Sequence, residues 1–124
     1  MKNKVFYKLR NDFIKDTFKL ADAKRIEYTE GHFEENVLWN FESVATKLGL
    51  TSIQVLSVYL LKHISSLLNY FKDGTTYSEP ITERIKDIIN YLILLVCMLE
   101  QNEIKKQGKK YKGEYNDRNK VSKK

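Results

Sequence analysis

The chain has 124 residues, of which 42% are apolar, and its formal net charge is +6. This length fits one small domain, and so high an apolar content predicts a hydrophobic core and excludes a disordered chain. The single cysteine, Cys97, excludes an intramolecular disulfide, and its apolar neighbours predict a buried, inert thiol.

The first half of the chain predicts two amphipathic helices. Apolar residues recur at helical spacing from about residue 3 to residue 26, which predicts the first helix. After the polar junction "EYTEGH", a second, short helix is predicted by an apolar stripe with spacings of three and four: Phe33, Val37, Phe41, Val44, Ala45 and Leu48. Gly49 supplies its C-terminal stop.

The second half predicts two longer helices. Thr51 and Gln54 have the spacing of a capping box, which opens a third helix that runs to about Phe71. Ser78 or Glu79 caps a fourth helix that runs to about residue 107, with Pro80 in its first turn, where a missing N–H is harmless. No segment shows the alternation of a strand.

The predicted fold is therefore an all-α, four-helix bundle. Helix four is apolar nearly all round between residues 88 and 99, more than a small monomer needs, so we expect a homo-oligomer, a dimer or larger. The same run contains Asn90 and Tyr91 and is shorter than the ~20 residues of a membrane span. Residues 1–13 are charged throughout, unlike a secretory signal. We expect a soluble, cytoplasmic protein without membrane contacts.

The basic charge belongs to the C-terminal end. Residues 105–124 contain nine Lys or Arg and two acidic residues, a net +7, whereas residues 1–104 sum to −1. This composition predicts a helical domain over residues 1–108 and a basic, disordered tail over residues 109–124. Only the tail offers phosphate contacts to nucleic acid, and a purely solubilising role for it is favoured.

Polar residues interrupt the apolar helices at a few positions. Glu83, Asp87 and Asn90 share one stripe of helix four and could hold Mg²⁺. Alternatively, Glu83 caps the first turn and interacts favourably with the helix dipole, and Asp87 pairs with Arg84 or Lys86.

Two further helices carry candidate residues. His63 lies on the inward side of helix three and is either a hydrogen-bonded core residue or, with Lys62, part of a phosphate site. Trp39 shares a face with Glu35 and Glu42 and is suited to stack a base or, as we favour, to pack at an oligomer interface. Two histidines and one cysteine do not make a usual zinc site, and no phosphate-binding glycine loop occurs.

Three segments together resemble a known family. "EGHFEENVLWNFESVATKLGLTSIQV", "YLLKHISSLLNYFKDG" and "SEPITERIKDIINYLILL" resemble small phage-encoded helical proteins related to the MazG-like all-α nucleotide pyrophosphohydrolases, over about residues 30–99. The resemblance implies a MazG-like bundle in which acidic residues bind Mg²⁺ and nucleoside triphosphates are hydrolysed. On helix four, the resemblance matches the family's acids to Glu83 and Asp87, which Asn90 and Tyr91 follow. On helix three it places Lys62 and His63 at the inward turn. Near the start of the site lie His32, Glu35 and Asn40.

Three functions follow from these residues. The family pairs its acids as E-x-x-E and E-x-x-D, whereas Glu83 and Asp87 are four apart. We therefore expect a nucleotide-binding protein that sequesters a nucleotide-derived host defence signal without hydrolysing it, in the cytoplasm of an infected bacterium. Phosphates would meet Lys62, His63 and Arg84, and a base would meet Asn90 with Tyr91 or Trp39, beside His32 and Asn40.

Two alternatives stay open. The first is a Mg²⁺-dependent pyrophosphohydrolase with Glu83, Asp87 and Glu35 as metal ligands and Lys62 stabilising the leaving phosphate. The second is a non-catalytic interaction bundle, in which Asp87 and Asn90 hydrogen-bond across helices and fix their register.

Overall fold

The computed structural model describes residues 1–28 and 35–110, with side chains as far as Gly108. Within these ranges the chain forms four α-helices and no strand: α1 (Asn3–Tyr28), α2 (Trp39–Leu48), α3 (Ser52–Asp73) and α4 (Ile81–Lys110). The prediction of an all-α chain with four helices is confirmed. His32, Phe33 and the tail from residue 111 onward lie outside the described residues.

Helix α2 begins later than the apolar stripe predicts. The Asn36 side chain accepts a hydrogen bond from the Leu38 N–H at 3.0 Å, and the Asn36 carbonyl accepts one from the Trp39 N–H at 3.1 Å. This side-chain turn occupies the backbone before the helix, as asparagine often does at helix starts. The prediction that Val37 lies on the buried stripe of the helix is therefore wrong: Val37 is exposed, and Leu38 is buried.

The predicted ends of the middle helices are confirmed. Gly49 ends α2 with φ +67°, the left-handed conformation that favours glycine. Thr51 and Gln54 form the capping box of α3: the Gln54 N–H donates to the Thr51 hydroxyl oxygen at 3.1 Å, and the Thr51 N–H donates to Gln54 Oε1 at 2.9 Å. α4 starts directly after Pro80, whose carbonyl accepts from the Glu83 N–H, and it continues past the expected end to Lys110.

The core forms where α2 and α3 meet α4. Leu56 of α3 is almost completely buried, and Phe41 of α2 lies edge-on to two tyrosine rings, Tyr59 of α3 and Tyr91 of α4. The other buried apolar residues are Leu38, Ala45, Val55 and Met98. α1 packs on the first half of α4, where Thr17 is fully buried.

Cys97 departs from its prediction. The inward face of α4 carries Asp87, Tyr91, Leu94 and Met98, at helical spacings of three and four, and Cys97 lies off this face and is exposed. The prediction of a buried thiol is wrong because an almost wholly apolar segment does not show by pattern which side faces the core. Among the described residues no single helix is both long and apolar enough to cross a membrane; α2 and α3 meet the two requirements together, by length and composition only, as a pair bent by 105°.

Candidate functional site

The carboxylate of Asp87 is the centre of a polar cluster between three helices. Asp87 Oδ1 accepts a hydrogen bond from Lys24 Nζ of α1 at 2.7 Å, and Asp87 Oδ2 lies 3.9 Å from His63 Nδ1 of α3. Only 9% of the Asp87 side chain is exposed. The expected pairing of Asp87 with Arg84 or Lys86 is wrong, since both of those residues bind other groups.

Lys24 is the member of this cluster that the sequence did not single out. Burial lowers the pKa of Lys24, but the hydrogen bond and the negative charge of Asp87 outweigh that effect, so the pKa lies above its ordinary value. Lys24 therefore carries its charge at neutral pH. Lys24 stands seven residues after the buried Thr17, so two helical turns place both on the same side of α1, but this spacing does not identify a partner on α4.

His63 is held between a carboxylate and a guanidinium. Arg84 Nη1 lies 3.2 Å from His63 Nδ1. Because a guanidinium only donates hydrogen bonds, Nδ1 must accept this one and the imidazole is neutral, with its proton on Nε2. Burial lowers the pKa of His63, and the positive charges of Arg84 and Lys24 act in the same direction against Asp87 and Glu79. The structure thus supports a neutral histidine at physiological pH.

Arg84 holds its place through three different nitrogen atoms. Besides the Nη1 contact with His63, Nη2 donates to the Ser78 hydroxyl at 3.0 Å and Nε lies 3.0 Å from Glu79 Oε1. Ser78 and Glu79, which the sequence analysis treats as candidate helix caps, thus contact the start of α4 through the side chain of Arg84. A guanidinium has five N–H donors, so two remain after these contacts.

Aromatic rings line the inner side of the cluster. The Tyr91 ring lies 5.3 Å from the His63 ring and stacks on Tyr59 at 6.4 Å, the distances being between ring centroids. Burial raises the pKa of Tyr91 to about 12, and the charge of Asp87 adds to the effect. Tyr91 is therefore a neutral hydroxyl donor, and its ring already packs against three other rings, those of Phe41, Tyr59 and His63.

Asn90 points toward α1. Its side-chain amide donates to the carbonyl oxygen of Thr17 at 3.3 Å, while the Thr17 hydroxyl donates to the Phe13 carbonyl at 2.7 Å. Together with the Lys24–Asp87 ion pair, this bond joins α1 to α4 at two points one turn of α4 apart. The structure thus brings together His63, Arg84, Asp87 and Tyr91 of the predicted site residues, with Asn90 beside them.

The remaining predicted site residues lie around or away from this cluster. Lys62 is exposed on α3 next to His63, and Glu83 pairs with Lys86 at 3.0 Å. Trp39 and Asn40 are half-buried in the first turn of α2. His32 is outside the described residues.

A separate groove lies near the other end of α4. It has a volume of about 740 Å³ between α2, the start of α3 and α4, and its lining includes Glu35, Glu42, Gln101 and Lys105. Glu42 accepts from Asn36 at 2.6 Å and from Gln101 at 3.5 Å. No pattern in the sequence predicts this groove.

The three predicted metal ligands do not meet in one chain. Glu35 lines the groove beside Gln101, which is about 20 Å along α4 from Asp87 at 1.5 Å per residue. Over residues 1–28 and 35–110, no group of three His, Cys, Asp or Glu side chains is placed to hold a metal ion.

Comparison with protein families, with curated proteins and with solved structures finds no match for this chain. The resemblance to MazG-like proteins therefore stays a prediction from the sequence.

Proposed function

We propose that this protein binds a nucleotide or nucleotide-derived small molecule through its phosphates, beside Asp87, and does not hydrolyse it. The observation that carries the proposal is the convergence of Lys24, His63 and Arg84, from three helices, around Asp87 and next to the Tyr91 ring. Phosphate oxygens are bound most strongly by charged donors such as the ammonium of Lys24 and the guanidinium of Arg84. With Lys62 exposed on the next position of α3, the rim of the site gains a further ammonium group.

The donors of the site are only partly used. Lys24 donates one of its three N–H groups in a hydrogen bond to Asp87, and 36% of its side chain is exposed. Arg84 has two of its five N–H groups left for a ligand. In this proposal Asp87 is a positioning residue: its carboxylate binds the Lys24 ammonium and faces the His63 ring. A bound phosphate would bring hydrogen-bond acceptors to the donors that remain.

The absence of hydrolysis is proposed because the acids are engaged. Asp87 is ion-paired with Lys24 and Glu83 with Lys86, so neither carboxylate is open to a metal without giving up a cation. In the cytoplasm of an infected bacterium, a homo-oligomer of this kind would lower the free concentration of a nucleotide signal of host defence. This last step rests on the resemblance to phage-encoded proteins.

The test is a nucleotide panel analysed by mass spectrometry. Deoxynucleoside triphosphates, cyclic dinucleotides and cyclic NAD derivatives are incubated with protein and Mg²⁺, filtered, and released by heat. A species depleted from the filtrate and recovered intact supports the proposal. Monophosphate formed from a triphosphate would overturn it in favour of the enzyme, and an unchanged panel would overturn both.

Two lysines of α3 give a matched pair of variants for the same panel. Lys62→Gln removes a charge next to His63, and Lys72→Gln removes an exposed charge from the last turn of the same helix. The proposal expects weaker retention for Lys62→Gln alone. Equal losses in the two variants would mean that retention depends on overall charge and not on this site.

The interaction bundle is the second candidate, and a specific observation favours it. Both Asp87 and Asn90 form hydrogen bonds with α1: Asp87 accepts from Lys24, and Asn90 donates to the Thr17 carbonyl. Residues that fix helix register form such bonds. On this interpretation Asp87→Asn changes the melting temperature or the oligomeric state, and no nucleotide of the panel raises the melting temperature of the unaltered chain.

The Mg²⁺-dependent pyrophosphohydrolase is the remaining alternative. Since Glu35 lines the groove near the other end of α4 from Asp87, the proposed ligands Glu83, Asp87 and Glu35 would have to come from two chains. This function expects Mg²⁺ or Mn²⁺ to raise the melting temperature, and it expects Asp87→Ala to abolish turnover in a folded protein.

A further inference from the structure

The first twelve residues of the chain form a helical arm that leaves the bundle. α1 packs on α4 from Phe13 onward, whereas every residue from 1 to 12 is exposed. The side of α1 that buries Thr17 continues into this arm as Phe6 and Leu9, which are 48% and 54% exposed. These apolar side chains thus lie on the packing side of α1 without another helix against them, and the neighbours of the Phe6 ring, Tyr7 and Arg10, belong to the arm itself.

α4 has an unpacked side as well. Its outer face consists of apolar residues followed by two acids, all exposed and all opposite the face that carries Asp87 and Met98: Leu92, Ile93, Val96, Leu99, Glu100 and Glu103. Large exposed apolar patches of this kind mark interaction sites. Neither the proposed ligand site nor the core uses this face.

Charge selects which surface fits the arm. The arm carries Lys2, Lys4, Lys8 and Arg10 against Asp12, so it is basic, and the outer face of α4 ends in two glutamates. Another exposed apolar face, formed on α3 by Val58, Leu61 and Leu68, has the lysines 62 and 72 near it instead. A basic arm is attracted to the face of α4 and repelled at the face of α3.

We propose that the arm of one copy packs on the outer face of α4 of a second copy, and that the exchange is reciprocal. The arm cannot reach its own outer face, because α1 is one continuous helix that crosses the opposite side of α4 at Thr17 and Lys24. Two copies related by a twofold axis satisfy both faces, as in an isologous dimer.

The dimensions agree with such a dimer. The helical part of the arm, residues 3–12, is about 15 Å long and the stretch 92–103 of α4 is about 18 Å long at 1.5 Å per residue. Each copy supplies one arm and one face, so the twofold axis makes the two contacts equivalent. Phe6, Leu9, Leu92 and Val96 would form its apolar centre.

Charge reversal with rescue tests this arrangement in the full-length chain. Sedimentation velocity over a dilution series measures the dimer for the unaltered chain, Lys2→Glu/Arg10→Glu, Glu100→Lys/Glu103→Lys and the four changes combined. Each double variant should weaken the dimer by roughly tenfold or more, since charge reversal turns the attraction between the basic arm and the two glutamates into repulsion at both symmetry-related contacts, and the combination should restore it. Circular dichroism checks that these surface variants keep their helix content.

The control addresses the competing surface. Val58→Ser/Leu68→Ser alters the apolar face of α3 and should leave the dimer unchanged. A monomeric unaltered chain, a dimer indifferent to the charge reversals, a failure of the combined variant to recover, or dissociation by the control would each overturn the proposal.

Discussion

The Lys24–Asp87 ion pair allows a quantitative prediction about the stability of the bundle. Lys24→Met keeps most of the side-chain volume and removes the ammonium, leaving a carboxylate with 9% exposure without its 2.7 Å partner. Removing one partner of a fully buried pair costs about 3–5 kcal/mol. Because 36% of the Lys24 side chain is exposed, solvent screens this pair in part, so we expect a loss of about 1–3 kcal/mol.

The assay is urea unfolding followed by circular dichroism. In a thermal melt of a domain of this size, the same loss of stability corresponds to a melting temperature lower by roughly 4–12 °C. Lys19→Met is the matched control, because Lys19 is an exposed lysine of the same helix and its loss should change stability by less than about 0.5 kcal/mol.

A double variant separates the ion pair from the fold of α1. Lys24→Met/Asp87→Leu removes both charges, and it should recover most of the lost stability, because replacing a buried pair by apolar residues is often neutral. If Lys24→Met and Lys19→Met cost the same, or if the double variant is the least stable of all, the assignment of Asp87 as a buried, paired carboxylate is refuted.

Three further predictions concern single residues. The pKa of His63 is lowered in the folded chain, so the unfolded chain binds the proton more readily and stability should fall as the pH drops below about 6.5; His63→Gln should remove that decline in urea titrations at several pH values. Thr51→Ala removes the capping box of α3 and should cost about 1 kcal/mol in the same unfolding assay, against no more than about 0.5 kcal/mol for Thr46→Ala on the surface of α2. Gly49→Ala places a Cβ in open space at φ +67°, so its cost of about 1 kcal/mol should come from the backbone alone, and Gly49→Asn, which tolerates this conformation, should cost less.

The fold was largely predictable because residues close to each helix boundary determine where the helix begins or ends. The Thr51–Gln54 box and Gly49 act within a few residues of themselves, and both ends were found. The start of α2 was missed because Asn36 forms a side-chain turn that competes with the helix, and apolar periodicity does not register such a turn.

The candidate site was predictable only in part. Asp87, His63 and Arg84 were singled out, but Lys24 pairs with a residue 63 positions away, and no local pattern reports such a distance. The exposure of Cys97 was missed for a related reason, since which side of an apolar helix is buried depends on where its neighbours pack.

The three bonds of Arg84 also concern the connection between α3 and α4. Residues 74–78 of this connection are exposed, yet Ser78 and Glu79 are tied to Arg84, which is itself tied to His63 of α3. Proteases cut segments that can detach from the surface and adopt an extended form. This connection should therefore resist cleavage after Lys72 and Tyr77 as long as the guanidinium is present, and Arg84→Gln should make the two halves of the chain separable by brief digestion.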